Sequence, residues 1–258
     1  MKESMKPGDF TELAKNYIYR PAYNDLIIDA LLKYTGFYEK KDFTAADVGA
    51  GTGKLTKMLL ERGVKTIPVE PNNAMREEGF QYTKKWNTEW REGSGEATGL
   101  PDQSVDWVTM ASSFHWTDHT LSLPEFHRIL KPGGYLTVIW NPRNIEASEL
   151  GKKIENRIFE IVPTLKRVSS GSQSQTKKWE EILVSTGHFN KTIFFEVDHL
   201  EIMTQERYLG AWNSVNDIRS QAGEEKWCEI MRMIEDYIKS YNTIEIPYKN
   251  RAWTVQRI

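Results

Sequence analysis

The amino-acid sequence predicts a doubly wound α/β fold, and three neighbouring features lead to that prediction. A β-prone run at 43–48 leads into glycines at alternate positions, Gly49, Gly51 and Gly53. An amphipathic run at 54–62 follows and stops at a further glycine, as a helix does. Strand, glycine turn and helix form the first unit of a doubly wound sheet, whose ligands bind at the carboxyl ends of the strands.

The spacing of this turn separates three classes of ligand. A phosphate-binding P-loop needs Gly-x-x-x-x-Gly-Lys-Ser/Thr, but Val48 stands at the first glycine and Leu55 at the hydroxyl position. The dinucleotide fingerprint Gly-x-Gly-x-x-Gly requires a glycine where Lys54 stands, which disfavours a nicotinamide dehydrogenase. The run that is present, over 47–53, is Asp-x-Gly-x-Gly-x-Gly, and Glu70 follows at the end of the next strand.

These two motifs resemble the first two motifs of the class I S-adenosylmethionine-dependent methyltransferases. The resemblance implies a Rossmann-like sheet of seven mostly parallel strands, with an antiparallel edge hairpin and helical cap elements. It also implies S-adenosylmethionine as cofactor and S-adenosylhomocysteine as product. A carboxylate at a strand end, here Glu70, can accept both hydroxyls of a ribose. The cofactor carries no phosphate, so the turn needs no lysine or arginine clamp.

Three further stretches extend the resemblance. The N-terminal run that contains Tyr17 and Arg20 looks like the segment that folds over the cofactor in the type 11 group of small-molecule methyltransferases. The 93–101 loop is similar to the Gly-x-Ala-Glu-x-Leu-Pro loop of that group, although Ser94-Gly95 departs from it. The run Arg-Ile-Leu-Lys-Pro-Gly-Gly-Tyr-Leu at 128–136 resembles a late, structural motif of class I methyltransferases.

The resemblance supplies a set of candidate cofactor residues at the strand ends and in the loops. They are Tyr17, Arg20, Asp47, Gly49, Ala50, Gly51, Gly53, Glu70, Pro71, Met75, Glu96, Ala97 and Ser112. Arg20 is expected to pair with the cofactor carboxylate, the alternative being a surface pair. Asp47 either braces the turn and reaches the cofactor ammonium group or braces the turn alone. Met75 sandwiches the adenosine or fills the core, and Glu96 with Ala97 meets the adenine or lies in a solvated loop.

The end of the fourth predicted strand, at 112–118, lies beside the transferable methyl in such a sheet. His115 is the candidate catalytic residue there, as a general base. Because Phe-His-Trp-x-Asp runs occur in this subgroup across many substrates, a shared packing or cofactor role is the alternative. No metal site is predicted, since His115 and His119 have only Asp118 as a nearby third ligand. The candidate substrate-pocket residues are Phe114, His115, Trp116, Trp140, Tyr208, Trp212 and Arg219.

We predict a single methyltransferase domain over 1–258. An N-terminal lid segment spans 1–36, a cofactor-binding core spans 37–140, and a substrate cap with the last two strands spans 141–258.

Several local elements are also expected. They are a short third strand at 88–92, a mobile serine-rich loop at 169–174, helices at 206–220 and 225–241, and a closing strand at 253–256.

Composition narrows the class of protein. The chain has 258 residues, of which 39% are hydrophobic and 27% charged, as in soluble globular proteins. The net charge of −2 and the absence of a block of lysines and arginines give no indication of a nucleic-acid-binding surface. A single cysteine, Cys228, fits a reducing compartment. We expect no signal peptide, no membrane association and a cytoplasmic location.

The predicted function is methylation of a small molecule, by O-methylation of a carboxylate or a hydroxyl, in a monomer or homodimer. Nine tryptophans suit an apolar or flat substrate, or large core residues. One alternative is a methyltransferase of RNA or protein, although nucleobase amine enzymes carry Asn/Asp-Pro-Pro-aromatic where 112–116 reads Ser-Ser-Phe-His-Trp. The other alternative is a non-catalytic S-adenosylmethionine-binding protein.

Overall fold

A computed structural model describes residues 11–40, 42–167, 176–190 and 192–258. The predicted serine-rich loop at 169–174 lies outside the described residues. The chain divides into two compact units. Unit 1 comprises Met1–Pro21, Pro142–Ser169 and Asp198–Lys249, and unit 2 comprises Ala22–Asn141, Ser170–Val197 and Asn250–Ile258. The subdivision predicted from the sequence, with boundaries at 36 and 140, stays a prediction.

The elements below are those found in the described part of the chain. The α-helices are α1 (Asp25–Tyr34), α2 (Lys54–Glu61), α3 (Asn73–Thr83), α4 (His119–Ile129), α5 (Glu149–Ile161), α6 (Thr176–Val184), α7 (Gln205–Asn213) and α8 (Asn216–Ile238). Short 3-10 helices span Thr11–Tyr19, Lys84–Trp86, Phe114–Trp116 and Ile145–Ala147. The strands are β1 (Thr44–Val48), β2 (Lys65–Val69), β3 (Val105–Ala111), β4 (Leu130–Trp140), β5 (Ile193–Met203) and β6 (Ile244–Gln256).

The strands form one mixed sheet in the order β2-β1-β3-β4-β6-β5. β1 pairs in parallel with β2 and β3, and β3 pairs in parallel with β4. β6 is antiparallel to β4. The predicted Rossmann-like α/β sheet with antiparallel pairing toward one side is confirmed. The predicted number of seven strands is wrong, because the sheet that the described residues form has six.

The missing strand is the one expected at 88–92. There the chain forms one isolated bridge to the end of β2. The Arg91 amide donates to the Pro68 carbonyl at 2.9 Å, and the Arg91 carbonyl accepts the Glu70 amide at 3.0 Å. Pro68 offers this edge a carbonyl but no amide hydrogen, so the ladder does not continue. Thr88 instead donates its side-chain hydroxyl to the backbone of β2.

The helices near the C-terminus agree with the prediction at one break and differ at another. The break expected between 220 and 225 is present, because the backbone within α8 is non-helical at Gly223 (φ 73°, ψ 166°), a conformation that L side chains rarely take. A second break, which was not predicted, lies between α7 and α8, where Ser214 donates its hydroxyl to the Ala211 carbonyl at 2.6 Å.

Each unit has its own buried core. Unit 2 contains two hydrophobic clusters, and β3 supplies both: Val108 and Met110 belong to one and Trp107 to the other. Since successive side chains of a strand point to opposite faces, these clusters lie on the two faces of the sheet. Unit 1 is organised around the aromatic and isoleucine side chains of α5, α7 and α8. In the described part of the chain, no helix has both the length and the apolar character that a membrane crossing requires.

Candidate functional site

The glycine turn between β1 and α2 has the backbone that its sequence predicts. Gly49, Gly51 and Gly53 have φ values of 67°, 57° and 77°, in the region that L side chains rarely adopt. The turn is also crowded, because a Cβ on Gly49 would lie 2.6 Å from the Ser113 Cβ. Glycine is therefore required at this position for both backbone conformation and space.

The first amides of the turn are bound to acceptors of the protein itself. The amides of Gly49 and Ala50 both donate to the Val69 carbonyl, at 2.8 and 3.1 Å. The Gly51 amide donates to Oε2 of Glu70 at 2.8 Å. A phosphate nest needs such amides to converge on the ligand. Here these three amides already donate to acceptors of the protein, and the negative charge of the Glu70 carboxylate lies beside them. The turn therefore suits a ligand without phosphate.

Glu70 lies just after the last residue of β2 and is 7% exposed. Its Oε1 accepts the Asn72 amide at 2.9 Å, and burial raises the pKa of its carboxyl while the Asn72 and Gly51 amides lower it. Arg76 donates to the Glu70 backbone carbonyl at 2.8 Å. Each carboxylate oxygen has two lone pairs. After the two amides are counted, one lone pair per oxygen is left, which matches a pair of ribose hydroxyls.

Asp47 is fully buried at the end of β1. Its carboxylate accepts the hydroxyls of Thr56, from α2, at 2.6 Å and Thr109, from β3, at 3.2 Å. Burial raises the pKa of Asp47 to about 6. Its position is that of a brace between strand and helix, the alternative that the sequence left open. A contact with the cofactor ammonium group stays a prediction.

Two other predicted cofactor residues, Tyr17 and Arg20, belong to unit 1, whereas the glycine turn belongs to unit 2. Arg20 binds Ser214, donating Nε to the hydroxyl at 2.6 Å and Nη2 to the carbonyl at 2.8 Å. Its guanidinium also lies 4.1 Å from the centre of the Tyr17 ring. The Arg20 guanidinium therefore binds the residue that follows α7. The predicted pairing of Arg20 with a cofactor carboxylate stays a prediction.

The remaining predicted cofactor residues surround the turn within unit 2. Met75 is buried, and its Cε lies 3.4 Å from where a Cβ on Gly51 would be. Pro71 is exposed just before α3. Glu96 is half-buried and accepts the Asp118 amide at 2.8 Å, while Ala97 is exposed. Met75 is thus the member of this set nearest the glycine turn.

Ser112 directly follows the last residue of β3 and has a left-handed backbone, at φ 56°. A non-glycine residue in this conformation is uncommon and is concentrated at functional sites. Two hydrogen bonds hold it: its amide donates to the Ile139 carbonyl at 2.8 Å, and its hydroxyl is 2.9 Å from the Tyr23 hydroxyl. Ser112 is exposed, so this strained residue faces solvent. The next residue, Ser113, packs against Gly49 of the glycine turn.

His115 has a fixed ring orientation. The indole Nε1 of Trp140 donates to Nδ1 of His115 at 3.2 Å. Burial, and secondarily His119, lowers the pKa of His115 to about 4. The imidazole is therefore neutral near pH 7, with its proton on Nε2. Such a ring offers an N–H donor where a general base would need a lone pair.

The predicted substrate-pocket residues are divided between the units. In unit 2, Phe114 is fully buried, Trp140 stacks on Trp179 at 4.8 Å, and Trp116 is 44% exposed. In unit 1, Tyr208 and Trp212 are buried, and Arg219 pairs with Glu224 at 2.8 Å. Phe114 and Trp140 thus act as core residues in this structure. Among the described residues, no cluster of three or more His, Cys, Asp or Glu side chains could hold a metal ion.

Sequence reasoning missed Arg143. This residue follows the end of β4, and its guanidinium lies 4.1 Å from the Trp212 ring centre and 6.0 Å from that of Tyr208. The signal that could have found it is its position, since a charged residue just beyond a strand's carboxyl end is well placed to meet a ligand.

Comparison with known proteins identifies the family. A model of the methyltransferase domain matches residues 46–138. A methyltransferase-like protein of Schizosaccharomyces pombe is 31% identical over 220 residues, which cover 82% of this chain and 81% of that protein. The chain belongs to the class I S-adenosylmethionine-dependent methyltransferases. Within them it falls in the type 11 group that the sequence motifs indicated.

Other relatives of this methyltransferase match less of their length or only its fold. An uncharacterized methyltransferase of Mycobacterium bovis is 38% identical over 125 residues, 48% of either chain, so the chain spans about half the length of that relative. A solved structure from Anaeromyxobacter dehalogenans, described as a candidate type II methyltransferase, has a TM-score of 0.61. It is 18% identical and covers 92% of this chain and 97% of its own, which shows the fold alone.

Proposed function

We propose that this protein transfers the methyl group of S-adenosylmethionine to an oxygen atom of a small molecule, a carboxylate or a hydroxyl. One observation carries the proposal: the Glu70 carboxylate stands beside a glycine turn whose first amides are already bound within the protein. This donor and acceptor set fits a ribose diol and disfavours a phosphate. It therefore supports a phosphate-free adenosine cofactor.

The cofactor would be held by side chains and backbone of unit 2. Glu70 would accept the ribose hydroxyls, Met75 would contact the adenosine, and the glycines of the turn would allow close backbone approach. When bound, S-adenosylmethionine supplies a methyl group on a positively charged sulfur. Because that methyl is intrinsically reactive, the chain's own task is to align the acceptor and exclude water, and alignment contributes up to about 7–11 kcal/mol in favourable cases.

An oxygen acceptor is supported by the state of His115. A neutral imidazole that presents Nε2–H can donate to an acceptor oxygen or to its neighbour but does not remove a proton through that nitrogen. A carboxylate is already ionised near pH 7 and needs no base. The protonation state that Trp140 imposes on His115 therefore favours a carboxylate over an unactivated alcohol.

Relatives of known activity give further support. A malonyl-[acyl-carrier protein] O-methyltransferase of Coxiella burnetii is 35% identical over 113 residues, 43% of this chain and 38% of that protein. That enzyme is named for O-methylation. The ubiquinone/menaquinone biosynthesis enzyme of Escherichia coli, 28% identical over 131 residues, is a C-methyltransferase. Product analysis must therefore distinguish an ester or ether from a new carbon–carbon bond.

Calorimetry with the full chain tests the cofactor assignment. S-adenosylhomocysteine should bind and NADH should not, and the opposite result would refute the proposal. Methyl transfer is then followed with isotopically labelled S-adenosylmethionine and a library of small carboxylic acids and alcohols. Alkali-labile label in the product indicates a methyl ester, whereas alkali-stable label indicates an ether or a carbon-linked methyl.

A further inference from the structure

Unit 1 contains a small cavity that the proposed chemistry does not use. Its walls include Arg143, Ser148, Tyr208 and Trp212, and the beginning of β6, Ile244–Pro247, closes one side. The cavity has about 20 Å³ of water-accessible space, which is room for about one water molecule. Polar and aromatic groups thus converge on a site large enough for one ligand atom.

Arg143 supplies the charge of this cavity. Its guanidinium lies against the ring of Trp212 and near that of Tyr208, a cation–π arrangement. Within the described ranges, Arg143 forms no ion pair. The Arg143 side chain is hydrogen-bonded to that of Tyr248 and is also attracted to Glu155 of α5. One oxygen of Glu155 pairs with Arg167 at 2.9 Å, the other is buried without a hydrogen-bond partner among the described residues, and Glu245, which also lines the cavity, is exposed. Since no carboxylate of the described residues forms an ion pair with this half-buried guanidinium, an acidic ligand would complete the compensation of its charge.

Two further groups of the cavity favour an anion. Trp212 is 2% exposed, and its Nε1–H makes no hydrogen bond of good geometry among the described residues, although the Tyr208 hydroxyl is close enough to interact with it. The first turn of α5 also borders the cavity: Ser148 accepts the Gly151 amide there at 3.0 Å. The amino end of a helix carries a partial positive charge. The site therefore combines a cation, an N–H donor and a helix start.

We propose that this cavity binds the carboxylate group of a small organic acid, with Arg143 as its ionic partner. The proposal rests on the proposed function in one respect, since the ligand has the chemical class of the acceptor proposed there. A carboxylate oxygen takes the place that fits a water and receives hydrogen bonds from the guanidinium and from Trp212 Nε1. Arg143 pairs with carboxylates in a planar geometry that lysine does not reproduce.

Thermal unfolding of the full chain at constant ionic strength tests the site. The probes are sodium acetate, benzoate, phenylacetate and citrate, with benzamide as the neutral counterpart of benzoate. Arg143→Gln removes the positive charge, and Arg143→Lys keeps the charge but lacks the planar pair of N–H donors of the guanidinium. Arg232→Gln is the matched control, because Arg232 lies exposed on α8 of the same unit. Tryptophan fluorescence titrations give the dissociation constants.

At least one carboxylate should stabilise the wild type, and benzamide should not. In Arg143→Gln the dissociation constant of that carboxylate should rise about tenfold or more, in keeping with loss of a charged hydrogen-bonding partner. Arg143→Lys should be intermediate and Arg232→Gln unchanged. If no carboxylate binds, or if the wild type and a folded Arg143→Gln bind it equally, the inference is wrong.

Calorimetry with S-adenosylhomocysteine separates the two proposals. If the wild type binds S-adenosylhomocysteine but no carboxylate stabilises it, the proposed function stands and the proposal of a carboxylate site in the cavity is wrong. If the wild type does not bind S-adenosylhomocysteine, the proposed function is wrong, whereas a carboxylate effect that depends on Arg143 would still support the cavity. If Arg143→Gln does not fold, as judged by circular dichroism, the comparison of Arg143→Lys with the wild type decides.

Discussion

The indole of Trp140 donates to Nδ1 of His115, and this bond determines what His115 can do. Because Nδ1 is the acceptor, the proton of the neutral ring is on Nε2. The histidine is therefore a hydrogen-bond donor toward any ligand that its Nε2 reaches. β3 and β4 are paired in parallel, and this pairing brings their carboxyl ends to the same edge of the sheet, where the two residues meet.

Replacement of His115 should distinguish a donor from a base. His115→Gln keeps an N–H donor and should retain methyl-transfer activity within about tenfold of the wild type, whereas His115→Ala should lose about a further tenfold, the usual value of one charge-neutral hydrogen bond. Initial rates with saturating cofactor measure the difference. Equal and severe losses in both variants would instead support proton transfer.

The same residue predicts a pH dependence of stability. The pKa of His115 is about 4 in the folded protein, against about 6.5 in the unfolded chain. Between these values the unfolded chain binds more protons at this residue, so the contribution of His115 to the free energy of unfolding falls as the pH decreases from 6.5 to 4, by about 3 kcal/mol. Asp47, whose pKa is raised to about 6, acts in the opposite direction over this range, so the difference between wild type and variant isolates the histidine. In urea unfolding, the wild type should lose stability relative to His115→Gln as the pH is lowered. Identical pH profiles would contradict the prediction.

Glu70→Gln should weaken the binding of S-adenosylhomocysteine. The substitution removes the charge and leaves an amide N–H₂ facing a backbone N–H, either that of Gly51 or that of Asn72. We expect a loss of about 1–3 kcal/mol in binding free energy, measured by calorimetry. Glu92→Gln is the control, because Glu92 is 77% exposed and bonds to Arg76 outside the turn. Unchanged affinity in folded Glu70→Gln would exclude the ribose role.

Gly49→Ala should destabilise the protein more than Gly63→Ala. Both glycines have positive φ, 67° and 75°, which costs an L-residue about 1–2 kcal/mol. Gly63 has nothing within 4 Å of an added Cβ, whereas on Gly49 that atom would lie 2.6 Å from Ser113. The Gly49 variant therefore adds a clash to the conformational cost. Chemical denaturation gives both values, and equal losses would show that Ser113 moves aside without cost.

The local features of the cofactor site could be predicted from the sequence. The glycine spacing of the turn, the helix after it and the acid at the end of β2 all depend on residues close together in the chain. Their backbone conformations follow from glycine's freedom at positive φ and from the periodicity of apolar residues. For this reason the backbone of the turn, the position of Glu70 at the end of β2 and the family could be predicted from the sequence without knowledge of the fold.

Only the tertiary structure decided the contacts between distant residues. The sequence could not show that Pro68 would stop the 88–92 strand, or that Asp47 would be buried between Thr56 and Thr109. Nor could it show that Trp140 would hold His115, or that the Arg143 guanidinium would lie against the Trp212 ring. These relationships depend on strand register and on which side chains share a core, and both are set by packing of the whole unit, since no short segment specifies them.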